Sequence, residues 1–214
     1  MLTLKAATLI AGSIGFPSKM PGTSYGIPAQ SCVTGRKLAK IAGSVCASCY
    51  AFERGNYRYS SVQKAQTTRL AGLANPQWVE AMVKLLMAAH SKGNLPPYHR
   101  WHDSGDIQSR EHLAKICAVA RATPSLRHWL PTREAKIIRD FVKDGGTIPA
   151  NLTIRLSATM VDGSAPKAWP QTSTVHKSTT PTGHHCPARH QSNKCGECRA
   201  CWDATISNVS YPIH

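Results

Sequence analysis

The sequence predicts an α/β protein whose parallel strands form a partial or irregular (β/α) barrel. Strand-like segments begin near residues 98, 126 and 152, and a segment of helical periodicity fills each gap between them. That alternation is the mark of β-α-β units, whose crossovers build parallel sheets. Cap and breaker residues bound each helical segment, so the alternation is punctuated as well as periodic. An open doubly wound sheet is the alternative the same order allows.

The elements follow in turn. A weak strand is expected at residues 6–11, "AATLIA". In "PQWVEAMVKLLMAAH" at 76–90, Asn75 stands as cap and Pro76 at the first position, with Trp78, Met82, Leu85, Leu86 and Ala89 on one face. The strand "YHRWH" at 98–102 follows Pro96-Pro97. A helix from about Ser109 carries Leu113, Ile116, Cys117 and Ala120 at helical spacing. "LRHWL" at 126–130 is the next strand, ended by Pro131, and a helix capped by Thr132 buries Ile137, Ile138, Phe141 and Val142 before Gly145-Gly146. "NLTIRLSA" at 151–158 is a strand, and a weak one is expected at 172–176. At 214 residues and 42% hydrophobic content, one domain over 1–214 is expected, with a cysteine-rich tail at 182–203 packed on it.

Eight cysteines are unevenly distributed. Cys186, Cys195, Cys198 and Cys201 fall in "CPARHQSNKCGECRACW", and Cys32, Cys46 and Cys49 make a C-x13-C-x2-C arrangement. Cys117, on the apolar face of its helix, reads as a small core residue. The start of the chain lacks the unbroken apolar core of a signal peptide, and no run approaches the roughly 18 apolar residues of a membrane span. A cytoplasmic protein with no membrane partner is expected, in which clustered thiols are reduced metal ligands. A C-x2-C-x2-C run loops three thiolates around a four-iron cubane, so a [4Fe–4S] cluster on these seven cysteines is the expected cofactor, as one cluster or two. Zinc is the alternative, and so is one site shared by Cys46, Cys49 and two distal cysteines.

Parallel sheets place functional residues at the carboxyl ends of their strands. There the second predicted strand is followed by "HDSGD", and Asp103 and Asp106 are the candidate catalytic carboxylates; helix capping or ion pairing is the plainer role for both. Thr132, Ser157 and Thr159 occupy the equivalent places after the next two strands. The net charge is +15, from 26 basic and 11 acidic residues, which suits a nucleic acid or another polyanion. Metal-bound thiolates would offset part of that charge. The segment from Arg54 to Arg69, with Arg58, Tyr57 and Tyr59 between, could supply phosphate contacts and stacking or lie as a solvated face over the cysteine loop.

"CASCYA", "FERGNYRYSSVQKAQTTR", "HDSGDIQS" and "CGECRACW" together resemble the phage protein family called gene product 88, from about Cys32 to Trp202. More distantly the chain is similar to radical-SAM-like phage proteins. The resemblance implies a phage or prophage origin, hence host-cell cytoplasm, an iron–sulfur cluster and a radical-SAM-like partial barrel. It implies no particular reaction. The radical-SAM loop is C-x3-C-x2-C, whereas thirteen residues separate Cys32 from Cys46 here, and no Gly-Gly-Glu follows the second predicted strand. Both departures argue against S-adenosylmethionine. Three functions are compatible with the chain: a redox or radical-type enzyme with a redox partner, a nucleic-acid-binding accessory protein with a structural cluster, and a zinc-stapled interaction module.

Overall fold

The computed structural model describes residues 2–52 and 55–213. In chain order it contains α1 (Leu4–Ala11), β1 (Thr23–Tyr25), α2 (Val33–Leu38), α3 (Ser60–Gly72), α4 (Trp78–His90), β2 (Tyr98–Trp101), α5 (Arg110–Ala122), β3 (Arg127–Thr132), α6 (Ala135–Lys143), β4 (Leu152–Val161), β5 (Thr172–His176), β6 (His184–His185) and β7 (Asn208–Pro212). The strands make one seven-stranded sheet in the order β1-β2-β3-β4-β5-β7-β6. Every pairing is parallel, and the sheet is open, with β1 and β6 at its ends.

The order follows the chain from β1 to β5, so successive right-handed crossovers step the same way and gather their helices on one face. There α4 packs on α5 and α5 on α6. A doubly wound sheet reverses its order at the centre and covers both faces with helices, which this order does not do. The segment expected as a strand at 6–11 lies instead within helix α1. Thr3 caps it by accepting from the Ala6 N–H at 3.1 Å, and Ala7 and Ala11, one turn apart, are fully buried on α4. Packing decided between helix and strand for a short apolar run that fits both. The expected α4 starts slightly later, since Asn75 closes a turn by accepting from the Gln77 N–H at 2.8 Å. Ser109 caps α5 as expected, through the His112 N–H.

Strand alternation sorts side chains between two environments. Leu152, Ile154 and Leu156 of β4 join Trp101, Leu130 and the apolar faces of α4, α5 and α6 in the main core. Cys117 is fully buried in that core, as expected. Their neighbours Thr153 and Arg155, with Trp129 of β3, face the other way, where no helix of the crossovers lies. That face is covered by residues 186–206, with Trp129, Ala200, Cys201, Trp202 and Val209 at the centre of a second, smaller cluster.

Four histidines are buried within the helix-side core or at its edge. His99 lies 4.5 Å from Trp101 between ring centroids, and His128 stacks on Trp101 at 6.0 Å. His102 and His112 meet edge to face at 5.3 Å. Burial is the main cause that holds all four below the ordinary histidine range, His112 and His128 at about 3. They stay neutral in the fold while the unfolded chain takes up protons below about pH 6.5, so acid favours unfolding throughout that interval. Asp106, pushed up to about 6 chiefly by burial, acts with the opposite sign and offsets one histidine in part. The unfolding free energy, and with it the denaturant midpoint, is therefore expected to fall between pH 7 and pH 5, the free energy by at most about 1.4 kcal/mol per histidine and pH unit. A midpoint that stays level over that range would contradict neutral burial of these rings.

Candidate functional site

The loop after β1 carries the first cysteine set. A 3-10 turn over Ala29–Ser31 leads into Cys32, whose N–H donates to the Ala29 carbonyl at 3.1 Å, and α2 starts directly after it. Glu134, at the carboxyl end of β3, accepts from both the Thr34 N–H and the Thr34 hydroxyl at 2.8 Å and so pins α2 to the sheet. The loop then bonds to the end of β4: Val45 N–H donates to Thr159 and Val161 N–H to Gly43, each at 2.9 Å. Cys46 and Cys49 share a tight turn in which the Cys49 N–H donates to the Cys46 carbonyl at 3.2 Å. The sulfurs of Cys32 and Cys46 both lie within 3.7 Å of where a Cβ on Gly35 would project. Gly35 therefore keeps open the space between the two thiols. Beside it Ala39, Cys46, Ala47, Ser48, Cys49 and Phe52 line a pocket of about 140 Å³.

Burial pushes the Cys32 thiol up to about 12, followed by the negative charges of Asp106, Cys49, Cys46 and Glu134. Cys46 is also raised by burial, and Arg133 opposes this. A cation in their midst would reverse that balance, since a metal-bound thiol is deprotonated.

Asp106 is almost fully buried and accepts from the Ile107 N–H at 2.8 Å and the Arg133 N–H at 2.9 Å. It thus ties the end of β2 to the end of β3, close enough to Cys32 and Cys46 to disfavour their thiolates. Asp103 accepts from the Ser24 hydroxyl at 2.9 Å, and its carbonyl accepts from the hydroxyls of Tyr50 and Tyr57 at 3.2 Å each. Neither carboxylate caps the following helix; Ser109 does that. Thr132 accepts from the Glu134 N–H, and Ser157 accepts from the Ser173 hydroxyl, both at 3.0 Å.

The second set lies on the face opposite the helices. Arg155, in the middle of β4, is fully buried and directs all five of its N–H donors at main-chain carbonyls. Nε donates to Cys201 at 3.1 Å, Nη1 to Thr172 at 3.3 Å and Ile206 at 2.9 Å, and Nη2 to Ala200 and Asp203 at 2.7 Å each. Residues 200–206 are folded around this one guanidinium. Thr153 donates to the Trp202 carbonyl at 2.9 Å, and the Trp202 indole donates to His99 at 3.0 Å. Cys201 is held so and meets the Tyr211 hydroxyl at 3.1 Å; Cys198 meets His184 Nε2 at 3.3 Å. Cys195 is anchored by its N–H to the Lys19 carbonyl at 2.9 Å. Burial raises Cys201 to about 12, with Cys186 and Cys195 adding to the rise and Tyr211 and Arg155 opposing it. Cys195 is raised by burial and then by Cys186 and Cys198, with Arg100 and Arg199 opposing.

The chain thus groups Cys32 with Cys46 and Cys49, and Cys186 with Cys195, Cys198 and Cys201. All eight cysteines are free thiols. Among the described residues, no three His, Cys, Asp or Glu side chains are arranged to hold a single metal ion. No helix in the described residues is long and apolar enough to cross a membrane. Of the residues expected to contact phosphate, Arg54 lies outside the described residues. Arg69 is half-buried and its fork is engaged by the fold, donating to the Ser13 carbonyl at 2.7 Å and the Gly26 carbonyl at 3.1 Å and lying over the Tyr25 ring.

A family model described as gene product 88 matches residues 2–204. The chain belongs to the gene product 88 family. This is a family of phage proteins, and the description carries neither an iron–sulfur nor a radical-SAM assignment. No curated protein matches the chain significantly, and no solved structure does. Within this gene product 88 chain, sequence reasoning missed Arg155, Arg100, Glu134 and Gly35. A lone cation inside an otherwise apolar strand, as in "TIRLS", was the available signal for the first two.

Replacing Arg155 with Met should cost on the order of 3–5 kcal/mol, because five main-chain carbonyls, three of them in buried bonds, lose their donors together. Arg155→Lys, with three donors, should fall between the two. Urea unfolding measures the loss, and limited proteolysis should cut first within residues 186–206. Equal stability of Arg155→Met and the parent would show that the tail is held by other contacts.

Proposed function

We propose that this protein carries [4Fe–4S] clusters on its two cysteine sets and performs redox chemistry at the carboxyl ends of its strands. The observation that carries this reading is the gathering of seven unpaired thiols into a set of four and a set of three. Cys186, Cys195, Cys198 and Cys201 suffice for the four corners of one cubane. Cys32, Cys46 and Cys49 would leave one corner of a second free for an outside ligand, and Gly35 keeps the space between two of these thiols clear. Zinc asks for four ligands converging at about 2.0–2.3 Å on one point. In a cubane each thiolate serves its own iron, which suits the C-x2-C-x2-C spacing of Cys195, Cys198 and Cys201. When bound, such a group supplies one-electron transfer.

The chain's own residues have definable parts in this scheme. Arg133 beside Cys46, and Arg100, Arg155 and Arg199 beside the tail set, offset thiolate charge. The Tyr211 hydroxyl, 3.1 Å from the Cys201 sulfur, would donate to it as a thiolate. Asp106 positions the β3 end against the first set, and Asp103, steadied by Ser24, is the carboxylate offered to a substrate. S-adenosylmethionine is no part of this proposal, given the C-x13-C-x2-C spacing. The single winding of the sheet supports a partial (β/α) barrel of the radical-SAM kind. A nucleic-acid-binding role is the weaker reading, because Arg69 is committed internally.

Anaerobically purified protein should contain iron and sulfide in equal amounts, with an absorbance band near about 400 nm and a paramagnetic signal on reduction. Cys198→Ala should lose roughly half of the iron and also lower stability, since ligation ties the tail to the sheet. Cys117→Ala should lose none. Stoichiometric zinc without sulfide would overturn the proposal, as would iron loss in Cys117→Ala with retention in Cys198→Ala. Asp106→Asn should keep its iron and shift the reduction potential, because it removes a negative charge next to Cys32 and Cys46.

A further inference from the structure

Two arginines face the tail side of the sheet, and they differ in one respect. Arg155 has an acceptor for every donor, whereas Arg100 has none among the described residues. Arg100 alternates along β2 with His99 and Trp101, both buried on the helix side, so its side chain lies on the opposite face. Its guanidinium carbon sits 4.6 Å from the Trp129 ring centroid, a cation–π contact that holds the group over the ring. The described ion pairs involve Arg110, Lys136 and Arg139, not Arg100. Its Nε is buried without a partner, and so is the indole nitrogen of Trp129 beneath it.

The groups that bear on this guanidinium come from several elements. Asp103 acts on it from the end of β2, Tyr50 and Tyr57 from the segment between α2 and α3, and Tyr211 from β7, while Arg100 in turn favours the Cys195 thiolate. The Tyr50 and Tyr57 rings meet edge to face at 5.5 Å. Their hydroxyls share one acceptor, the Asp103 carbonyl, at distances long for an O–H donor. Both are thus free to turn to a better acceptor. Burial raises Tyr57 well above the ordinary phenol range, so it remains a donor at any working pH.

We propose that Arg100, together with the Tyr50 and Tyr57 hydroxyls, binds the oxyanion of a small-molecule ligand, a phosphate or a carboxylate, between the two cysteine sets. A buried donor without a partner is costly, and a ligand oxygen removes that cost. The guanidinium fork matches two oxygens of either group, and neutral phenols complete the cradle without adding charge. This goes beyond the cluster reading and does not require it, because every contact named is made by the protein.

The test titrates the whole purified chain with inorganic phosphate and, separately, with acetate, followed by calorimetry. Saturable binding is expected for at least one probe, and the tighter of the two assigns the group. Arg100→Gln should weaken it by about tenfold or more, and Tyr57→Phe by several-fold, as loss of a charge-assisted and a neutral hydrogen bond implies. Tyr57→Phe, an exposure-neutral change, keeps the test valid if Arg100→Gln does not fold. Absence of saturable binding of both probes to the parent chain overturns the proposal. So does unchanged binding in both variants, and if Arg100→Gln then also shifts the reduction potential, Arg100 is a counter-ion for the thiolates.

Discussion

A guanidinium without a carboxylate, enclosed by main-chain carbonyls, is the constraint around which this protein is arranged. Charge on Arg155 could not be buried in the middle of a strand unless every N–H found an acceptor. Four of the five acceptors come from residues 200–206 and the fifth from the residue that opens β5. The tail cannot leave that position without stranding the charge, and the charge cannot be buried without the tail. Cys201 and Trp202 lie inside this wrapped stretch, so the second thiol set inherits its placement from β4. Trp202 then passes the constraint to β2 through His99, and the packed tryptophans at Trp129 extend it to β3.

Not all of the net charge of +15 is presented to solvent. Arg155, Arg100 and Arg69 direct their charge at carbonyls, rings and thiols inside the molecule. Carboxylates are few, and two of them, Asp106 and Glu134, are themselves buried as acceptors for main-chain N–H groups. Cations near thiols make sense where the thiols are to carry negative charge, and carboxylates near the first set act against it. Carboxylates thus bear on the first set and arginines on the tail set, while burial raises Cys32 and Cys201 alike to about 12.

The sequence made visible whatever rested on periodicity. β2 to β5 and α4 to α6 carry alternation or a 3.6-residue stripe, and each lies where the pattern put it to within a few residues. α1 was misread because "AATLIA" is too short for its period to decide, and only contact with α4 settles it. β1, β6 and β7 went unseen because they are two to five residues long and are formed by main-chain pairing with neighbours distant in sequence. The cysteine spacings announced the two sets, and "HDSGD" announced a strand end. Arg155 and Arg100 were overlooked although each interrupts a strand that is otherwise apolar or aromatic, and what a buried arginine contacts is not written next to it.

One feature of the sheet bears on how the molecule comes together. β7 lies between β5 and β6, and β6 has no other strand partner. The Trp202 contact to His99 spans 103 residues, and the Thr172 side chain meets Asn208 across 36. Contacts of such span are slow to form, since a long loop must close before anything rewards it. The four tail thiols therefore reach their place on the sheet only after distant parts of the chain have met.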